Sequence, residues 1–449
     1  MNFNTILYRF GLDPNDFDNK LIEPIKSENG FIYELWQKDK NRKCPYCGND
    51  NNYKHNYFYT ETSCCINEQL KEILRIRKIR YKCRKCGKTF TNSINGIDTR
   101  DTITKQVKDM ITNDLFKMFS FSDIAKNYNL SKNRVIQLFD EIIDYVPRKT
   151  LPKTLCIDEK KFKDGNGSKY VCILYDFDNG NVIDVLRNRQ LAYLNEYFDQ
   201  ISQKEKENVK FFVCDMNDGY ISIQKKHFPN ATLIIDLFHI VKQLTEAVNS
   251  VRISAMYKTN ATSIRYRFMK SYWRYFLCRK EDVPDKFLTS KKTEERYHFD
   301  DLIFECLKYD NNLLIAYNIL QDFYHYYQKR NFNDALEFIQ FISNRCIDSN
   351  ISNLVKTGQT YYKYRYGIAN TISKSQNSIH PSNSAAENTN NHIETLIRIS
   401  YGFKNFDRFR KRILLIRTYK NEWDLLSHSF HFKFHSFLTL FLSFPLNST

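Results

Sequence analysis

The sequence predicts an α/β protein whose central domain carries an all-helical insertion and follows two small N-terminal modules. Three observations support this fold class. Short apolar runs between residues 154 and 236 alternate with helical stretches in the order βββαβαβ, a long segment with helical apolar spacing follows them, and two C-x-x-C pairs precede both. At 449 residues the chain exceeds one ordinary hydrophobic core, so several domains are expected.

The first module is a predicted zinc ribbon at about residues 40–92, inside an N-terminal region of residues 1–95. It rests on the pairs Cys44/Cys47 and Cys83/Cys86, each followed by glycine in CPYCG and CRKCG. This spacing lets two knuckles supply four thiolates to one structural, tetrahedral Zn²⁺. The alternatives are two unrelated reduced pairs or a redox pair, and no βαβ pattern surrounds either pair to favour the redox interpretation.

The chain is strongly basic, with 68 Lys and Arg against 51 Asp and Glu and a formal net charge of +17. Such an excess indicates a polyanionic partner, either nucleic acid or an acidic membrane surface. Nucleic acid is favoured because residues 71–88 carry nine Lys or Arg against one Glu along a predicted β-ribbon. The candidate phosphate contacts in this segment are Arg75, Arg77, Lys78 and Arg80.

We expect neither a secretory signal nor a membrane-spanning segment from the sequence. The N-terminus has no basic flank followed by a long apolar core, and the longest apolar run, at 437–444, is far shorter than a spanning helix needs. We therefore expect no membrane association and a cytoplasmic, nucleoid-associated protein of prokaryotic type.

The second module, at residues 96–150, has a helix-turn-helix pattern in FSFSDIAKNYNLSKNRVIQLFDEIIDYV. Ser122 is the expected cap of a short helix, NYNLS forms a turn, and a second amphipathic helix covers 132–145. A helical hairpin used only for packing is the alternative. In the DNA-binding interpretation, the start of the second helix reaches base edges through Lys132, Asn133, Arg134 and Gln137.

The central domain is predicted at 151–252 and 380–426, and its strands follow one another in a recognisable order. A hairpin with an Asn-Gly turn follows the first strand, and helical crossovers separate the later strands. This is the ribonuclease H-like arrangement, in which the first and fourth strands are parallel neighbours. The expected strands are 154–158, 169–176, 181–187, 209–215 and 231–236, and the expected helices are 190–204 and 218–228.

Acidic residues at the ends of those neighbouring strands predict a metal site. Asp158 and Asp215 end the first and fourth strands, and ligands of open α/β sheets gather at the carboxyl ends of strands. Glu387, which opens an amphipathic segment after a Ser/Asn-rich loop, is the candidate third acid. Oxygen ligands of this kind select two Mg²⁺ or Mn²⁺ ions for displacement at phosphorus. A solvated turn or helix cap is the alternative for each acid taken singly.

About 170 residues separate Asp215 from Glu387, which predicts an all-helical insertion at 253–379. A basic cluster follows the last acid at 398–412 and interleaves aromatic residues with Arg398, Lys404, Arg408 and Arg410. DNA-backbone binding is expected for this cluster, with a solvated amphipathic helix as the alternative. Residues 427–449 form an extension to which we assign no role.

Taken in order, these motifs resemble the ISL3-type insertion-sequence transposases of the DDE superfamily. The resemblance covers roughly residues 40–415 and rests on CPYCG, CRKCGKTF, the helix-turn-helix, and the segments around IDEKKF, CDMNDGY and ENTNNHIETLIRISYGF. It implies that Asp158, Asp215 and Glu387 are the catalytic and metal-binding acids. The family usually has glycine after the last acid, where this chain has Asn388.

The resemblance further implies hydrolysis of double-stranded DNA at the element's ends, followed by attack of the freed 3′-hydroxyl on target DNA. A homodimer or larger assembly is expected, since two ends must be joined. Asp236 and His239 in DLFH resemble an auxiliary pair of some DDE transposases, with a helix cap and a packing histidine as the alternative. A catalytically inactive DNA-binding regulator and a ribonuclease H-like nuclease are the competing functions.

Overall fold

A computed structural model of the protein describes residues 3–18, 23–28, 30–40, 43–64, 71–97, 102–162, 170–289, 294–326, 331–373, 384–399 and 405–419. They fall into two compact units. Unit 1 contains residues 1–148, 163–165 and 392–449, and unit 2 contains residues 149–162 and 166–391. Within the described ranges, no helix combines the length and the apolar character that crossing a bilayer requires.

Twelve strands lie in the described ranges. Their bounds are β1 Ile25–Ser27, β2 Gly30–Trp36, β3 Asn52–Ser63, β4 Lys71–Cys83, β5 Thr89–Thr91, β6 Thr154–Lys161, β7 Tyr170–Asp176, β8 Val182–Leu186, β9 Phe211–Cys214, β10 Thr232–Ile235, β11 Phe287–Thr289 and β12 Arg296–His298.

The α-helices of the same ranges are α1 Phe3–Arg9, α2 Lys105–Leu115, α3 Phe121–Asn127, α4 Lys132–Ile142, α5 Leu191–Asp199, α6 Gln203–Glu207, α7 Asp218–His227, α8 Leu237–Lys258, α9 Ile264–Ser271, α10 Phe299–Tyr309, α11 Asn311–Tyr326, α12 Phe332–Asp348, α13 Ser352–Ile372, α14 Ser384–Ile399 and α15 Phe406–Leu414. Short 3₁₀ turns cover Pro14–Asp16, Trp273–Phe276 and Lys280–Asp282, and a π-helical turn covers Leu415–Tyr419.

The sheet of unit 1 is built around the predicted ribbon. Strands β3 and β4 pair antiparallel, and β4 also pairs with β5. On the edge away from β3, which also carries β5, β4 pairs in parallel with β2, and β2 pairs antiparallel with β1. Leu74 and Ile76 alternate inward from β4 and are fully buried, together with Leu7 and Phe10 at the N-terminus. The ribbon is therefore part of a larger sheet that also includes β1 and β2 from the N-terminal segment.

The two helices of the predicted helix-turn-helix are α3 and α4, and one detail of the prediction is wrong. The cap of α3 is Ser120, whose hydroxyl accepts from the backbone N–H of Asp123 while the Asp123 carboxylate accepts from the Ser120 N–H, a complete capping box. Ser122 lies inside the helix. The turn is made by Asn129, which adopts a left-handed conformation (φ 56°), and Ser131 caps α4.

Helix α15 packs within unit 1 through a buried arginine. The Arg412 guanidinium donates to three carbonyl oxygens that close the end of α2 and the turn after it: those of Leu115, Lys117 (3.1 Å) and Phe119 (2.7 Å). Its side chain is 1% exposed, and burial lowers its pKa to about 9. Arg412 belongs to the basic cluster for which DNA contact was predicted, yet it serves the fold.

We expect Arg412→Met to destabilise unit 1 by about 3 kcal/mol or more, because the carbonyl groups of Leu115, Lys117 and Phe119 lose a charged donor. Hydrogen exchange of α2 and α15, followed by mass spectrometry, measures the effect. Arg398→Met, whose side chain is 76% exposed, is the matched control. Equal protection in both variants would contradict the structural role of Arg412.

The main sheet of unit 2 has the order β10-β9-β6-β7-β8. Strands β6, β7 and β8 are antiparallel neighbours, while β6, β9 and β10 run parallel. The predicted adjacency of the first and fourth strands of this domain is thereby confirmed. Strand β6 is longer than predicted, since its hairpin with β7 continues to Lys161 after the pairing with β9 has ended. Asp158 therefore lies inside β6, not at its end.

The predicted insertion is mostly helical, with two corrections. It contains a two-stranded antiparallel sheet, β11 with β12, so it is not all-α. Helix α8 runs without a break through the proposed boundary at residue 252 and ends at Lys258. Helices α12 and α13 approach each other closely at Gly358, where an added Cβ would lie 2.5 Å from the carbonyl oxygen of Ser343.

Candidate functional site

The four cysteines of the predicted ribbon meet at one point. The Sγ atoms of Cys44 and Cys86 lie 3.6 Å apart, as do those of Cys47 and Cys83, and all four sulfur atoms lie within 4.8 Å of one another. A tetrahedral ion with bonds of about 2.3 Å places its sulfur ligands about 3.8 Å apart. The set therefore fits one metal ion. Within the described ranges it is the only group of three or more His, Cys, Asp or Glu side chains close enough to share one.

Each cysteine pair sits on a turn of the same shape. The N–H of Gly48 donates to the carbonyl of Cys44 (2.9 Å), and the N–H of Gly87 donates to that of Cys83 (3.0 Å). Both glycines have φ of 70°, and an added Cβ would meet nothing within 4 Å. Backbone conformation, not space, thus favours glycine here, and the two turns act as matched knuckles.

Asp158 lies on β6 of unit 2, and Asp215 follows the adjacent parallel strand, β9. Asp215 directly follows β9, and the register pairs Cys156 of β6 with Val213 of β9. Two residues further along both strands, Asp158 and Asp215 are level with each other. The backbone N–H of Glu159 donates to Oδ1 of Asp158 (2.7 Å), which orients that carboxylate. The topology thus brings together the two acids that the sequence indicated.

The environment of Asp215 disfavours the negative charge of its carboxylate. Its Oδ1 is buried and has no hydrogen-bond partner in the part of the chain that the structure describes. Burial raises its pKa from the ordinary 3.8 to about 6; His239 opposes the rise, while Glu159 and Asp158 add to it. A buried carboxylate without a partner is costly, and a bound cation would remove the cost. The donor set therefore fits a hard divalent ion.

The predicted auxiliary pair flanks Asp215. Asp236 caps α8 by accepting from the N–H of Phe238 (2.9 Å), and its other carboxylate oxygen lies 3.1 Å from Nδ1 of His239. The Asp236 contact raises the pKa of His239 and favours an imidazolium beside the acids. Asp236 is therefore a helix cap, and its partner His239 lies beside Asp215.

We expect Asp215→Asn to stabilise the magnesium-free protein at neutral pH. Because the folded-state pKa of Asp215 is raised, its contribution to stability is fully present below pH 3.8 and is lost as the pH rises through about 6. At pH 7 the penalty is at most about 3 kcal/mol, and neutral asparagine abolishes it. Hydrogen exchange of β6 and β9 at pH 4.5 and 7.5 measures the difference between variant and wild type. A difference that does not grow with pH would contradict the assignment.

Sequence reasoning did not select Glu159, although it adjoins Asp158. Its Oε1 accepts from the hydroxyl of Tyr220 (2.6 Å), and its Oε2 pairs with Arg189. Arg189 in turn stacks on Tyr170, 4.6 Å from the ring centroid. Strand alternation points Glu159 and Asp158 to opposite faces of β6, so adjacency in sequence is a poor guide to their roles.

Two predicted residues lie outside what is described. The backbone of Glu387 belongs to α14, as the sequence indicated, but the description does not extend to its side chain. Asn388 lies within the same helix. Lys404 falls in the undescribed range 400–404, and the C-terminal extension at 427–449 is likewise outside.

The basic residues of the ribbon have distinct environments. Arg75 is paired with Glu61 (2.9 Å) and Glu34 (3.4 Å). Arg77 stacks between Trp36 and Tyr57, with its guanidinium carbon 4.3 Å from each ring centroid.

Two further ribbon cations differ in exposure. Arg80 stacks on Phe58 at 4.7 Å. Lys78 departs from the expected phosphate contacts, since its side chain is only 8% exposed and burial lowers its pKa. Of the four predicted contacts, Lys78 is thus the one placed away from solvent.

The remaining predicted DNA contacts divide into surface and internal groups. Lys132, Asn133 and Gln137 are exposed on α4, Arg134 pairs with Glu141 at 3.3 Å, and Arg398 pairs with Glu394 at 3.3 Å. By contrast, two predicted contacts in the C-terminal cluster, Arg408 and Arg410, bind groups of their own unit, as Arg412 does.

Those two internal arginines lie on α15. Arg408 forms a two-pronged ion pair with Asp140 (2.6 and 3.0 Å), and Arg410 donates to the carbonyl of Val146 (2.9 Å). In sequence, the two arginines have the spacing of a solvated basic helix face. Their partners are more than 260 residues away, so the neighbouring sequence does not predict these contacts.

Comparison with known proteins matches most of the chain to transposases. The family model for transposases of the DDE superfamily, ISL3 type, matches residues 155–413, more than half of the chain. The transposase for insertion sequence element IS1001 of Bordetella parapertussis is 21% identical over 418 residues, which cover 88% of this chain and 97% of that protein. A protein named ATP-dependent protease from Lactococcus lactis subsp. lactis is 29% identical over 137 residues, 28% of this chain and 41% of that protein.

The matched range includes β6, β9 and the helix that carries Glu387. The similarity to the IS1001 transposase extends beyond that range over nearly the whole length of both proteins. The chain therefore belongs to the ISL3-type family of DDE transposases.

Proposed function

We propose that this transposase cleaves DNA at the ends of an insertion sequence and joins the freed 3′-hydroxyl to target DNA. The reaction would take place in a ribonuclease H-like domain, with Asp158, Asp215 and Glu387 holding two Mg²⁺ or Mn²⁺ ions. One observation carries the proposal: a buried carboxylate with an unpartnered oxygen, Asp215, lies level with a second acid on the neighbouring parallel strand.

Residues beside the proposed metal ions would orient the acids and supply positive charge. The N–H of Glu159 fixes one oxygen of Asp158. The buried Oδ1 of Asp215, which has no hydrogen-bond partner among the described residues, would be stabilised by a bound cation. His239 places positive charge beside the acids, where an incoming phosphate is anionic. When bound, the ions would activate the attacking oxygen and stabilise the leaving one.

End recognition would fall to unit 1. The four-cysteine site would hold one structural Zn²⁺ and keep the knuckles in place. Arg75, Arg77 and Arg80 would contact the DNA backbone from the ribbon, while Lys132, Asn133 and Gln137 lie exposed on α4, where base edges are reached. Joining two ends requires at least two copies of the chain, so a homodimer is expected on paired ends.

Purified protein with Mg²⁺ and a duplex carrying the terminal inverted repeat of its own element tests the proposal. We expect cleavage at the element boundary and a 3′-hydroxyl product that joins to a second duplex. Binding of ends without nicking would favour the regulator instead. Cleavage of any duplex with equal efficiency would favour a nuclease.

A further inference from the structure

A cavity of about 450 Å³ opens beside Asp215, between helices α8 and α13 of unit 2. Its wall includes one face of α8, formed by His239, Lys242, Gln243 and Glu246, and the side chain of Lys363 from α13. These α8 positions are spaced three or four residues apart, so they share one side of the helix. The volume falls in the range of pockets that enclose small molecules.

The far wall of the cavity is fixed to the central sheet. The hydroxyl of Thr371 donates to the carbonyl of Ile235 (2.6 Å), and Asn370 donates to that of Leu233 (2.9 Å). Gly367 allows the close approach, since an added Cβ would lie 2.8 Å from Ile235. Helix α13 is thus held on strand β10, and the cavity keeps its position relative to Asp215.

The chemistry of the wall is mixed. Lys242 and Lys363 favour a negatively charged group, although Lys363 also pairs with Asp218. Glu246 disfavours an isolated phosphate, and the lysines disfavour an isolated cation. Lys242 lies 3.9 Å from Glu246, so opposite charges alternate along the wall. A ligand that carries both a phosphate and neutral donor and acceptor groups satisfies such a wall better than either ion.

Two side chains point to a planar, hydrogen-bonding ligand. The Oε1 atom of Gln243 is buried and has no hydrogen-bond partner within the described ranges, so it lacks a donor. Phe238 is not a wall residue, but it is 45% exposed and contacts two residues that are: its ring centroid lies 5.5 Å from that of His239 and 5.8 Å from Nζ of Lys242. An exposed aromatic ring beside cations is a stacking surface for a nucleobase.

We propose that this cavity takes one nucleotide of the DNA next to the cleaved phosphate, with its base against Gln243 and Phe238 and its phosphate beside Lys242 and Lys363. The inference rests on the proposed function, because it needs DNA at Asp215. The nucleotide comes from the cleaved strand or from the opposite strand, and the chemistry of the wall suits both. Its role is to hold the scissile phosphate in register with the acids.

The test combines Gln243→Leu and Phe238→Ala with end duplexes that lack one base at a time. On intact DNA, we expect each variant to cleave about tenfold more slowly than wild type, with unchanged end affinity. On the duplex whose missing base is the one that fills the cavity, neither substitution should slow cleavage further. Scanning abasic positions on both strands identifies which strand supplies the nucleotide.

Gln203→Leu and Phe304→Ala are matched controls on surface residues of unit 2 that do not line the cavity, and they should cleave like wild type. Phe238 is exposed, so its variant remains informative if Gln243→Leu folds poorly. If wild type cleaves but the variants lose the same factor on every abasic duplex, or none on any, the nucleotide pocket is refuted while the transposase reaction stands. If wild type does not cleave at all, both proposals fall.

Discussion

Asp158→Asn and Asp215→Asn should each reduce end cleavage by about a thousandfold or more while leaving end binding nearly intact. Each asparagine keeps the shape of the side chain but removes the charge that would hold a divalent ion, so stabilisation of the transition state is lost. Single-turnover cleavage of a labelled end duplex measures the loss, and a gel-shift titration measures affinity. Glu387→Gln should have the same effect, because Glu387 is the third acid of the proposed site. Its backbone lies on α14.

The structure supplies matched controls for these variants. Asp178→Asn changes an exposed acid in the β7–β8 turn, and Glu394→Gln changes a half-buried acid further along α14. Both should cleave at the wild-type rate. Retained cleavage by Asp215→Asn, or equal losses in Glu387→Gln and Glu394→Gln, would remove the corresponding acid from the proposed site.

Cys44→Ser and Cys83→Ser should each release about one zinc per chain and weaken end binding by at least about tenfold. The free energy of a structural Zn²⁺ site is folding free energy, so the loss of one thiolate should unfold the knuckles and disturb the cationic ribbon. Metal content by atomic emission and affinity by gel shift measure the two effects. A chelator should reproduce the loss of binding in wild type.

Cys278→Ser is the control for the zinc variants, because this half-buried cysteine belongs to unit 2 and to no metal-ligand cluster of the described residues. It should keep both zinc and affinity. Zinc content that is unchanged in Cys44→Ser would refute the ribbon site, whatever happens to DNA binding.

The sequence predicted the central sheet well because its strands are short apolar runs bounded by clear turns. The parallel neighbours β6 and β9 followed from the order of elements, and this order placed Asp158 beside Asp215. The missed features depend on distant contacts. The pairing of β2 with β4 joins residues 41 apart, and Arg412 reaches the end of α2 almost 300 residues away.

Local ambiguity explains the smaller errors. Both Ser120 and Ser122 precede the apolar residues Ile124 and Ala125, so either could have been the cap. The reciprocal hydrogen bonds with Asp123 identify Ser120 as the cap. Strands β11 and β12 are three residues each, too short for a periodic pattern to reveal. Lys78 looks like its basic neighbours in sequence, and the pleat of β4 alone turns it inward.

The parallel pairing of β2 with β4 has a consequence for how this protein can be divided. A fragment that begins at residue 40 contains all four cysteines of the ribbon cluster. It lacks the strand that covers one edge of β4 and the residues that pack on Leu74 and Ile76. Such a fragment exposes an unpaired, apolar strand edge and should aggregate. An exchange of the N-terminal module, whose proposed role is end recognition, between related transposases therefore has to include the chain from its first helix, α1.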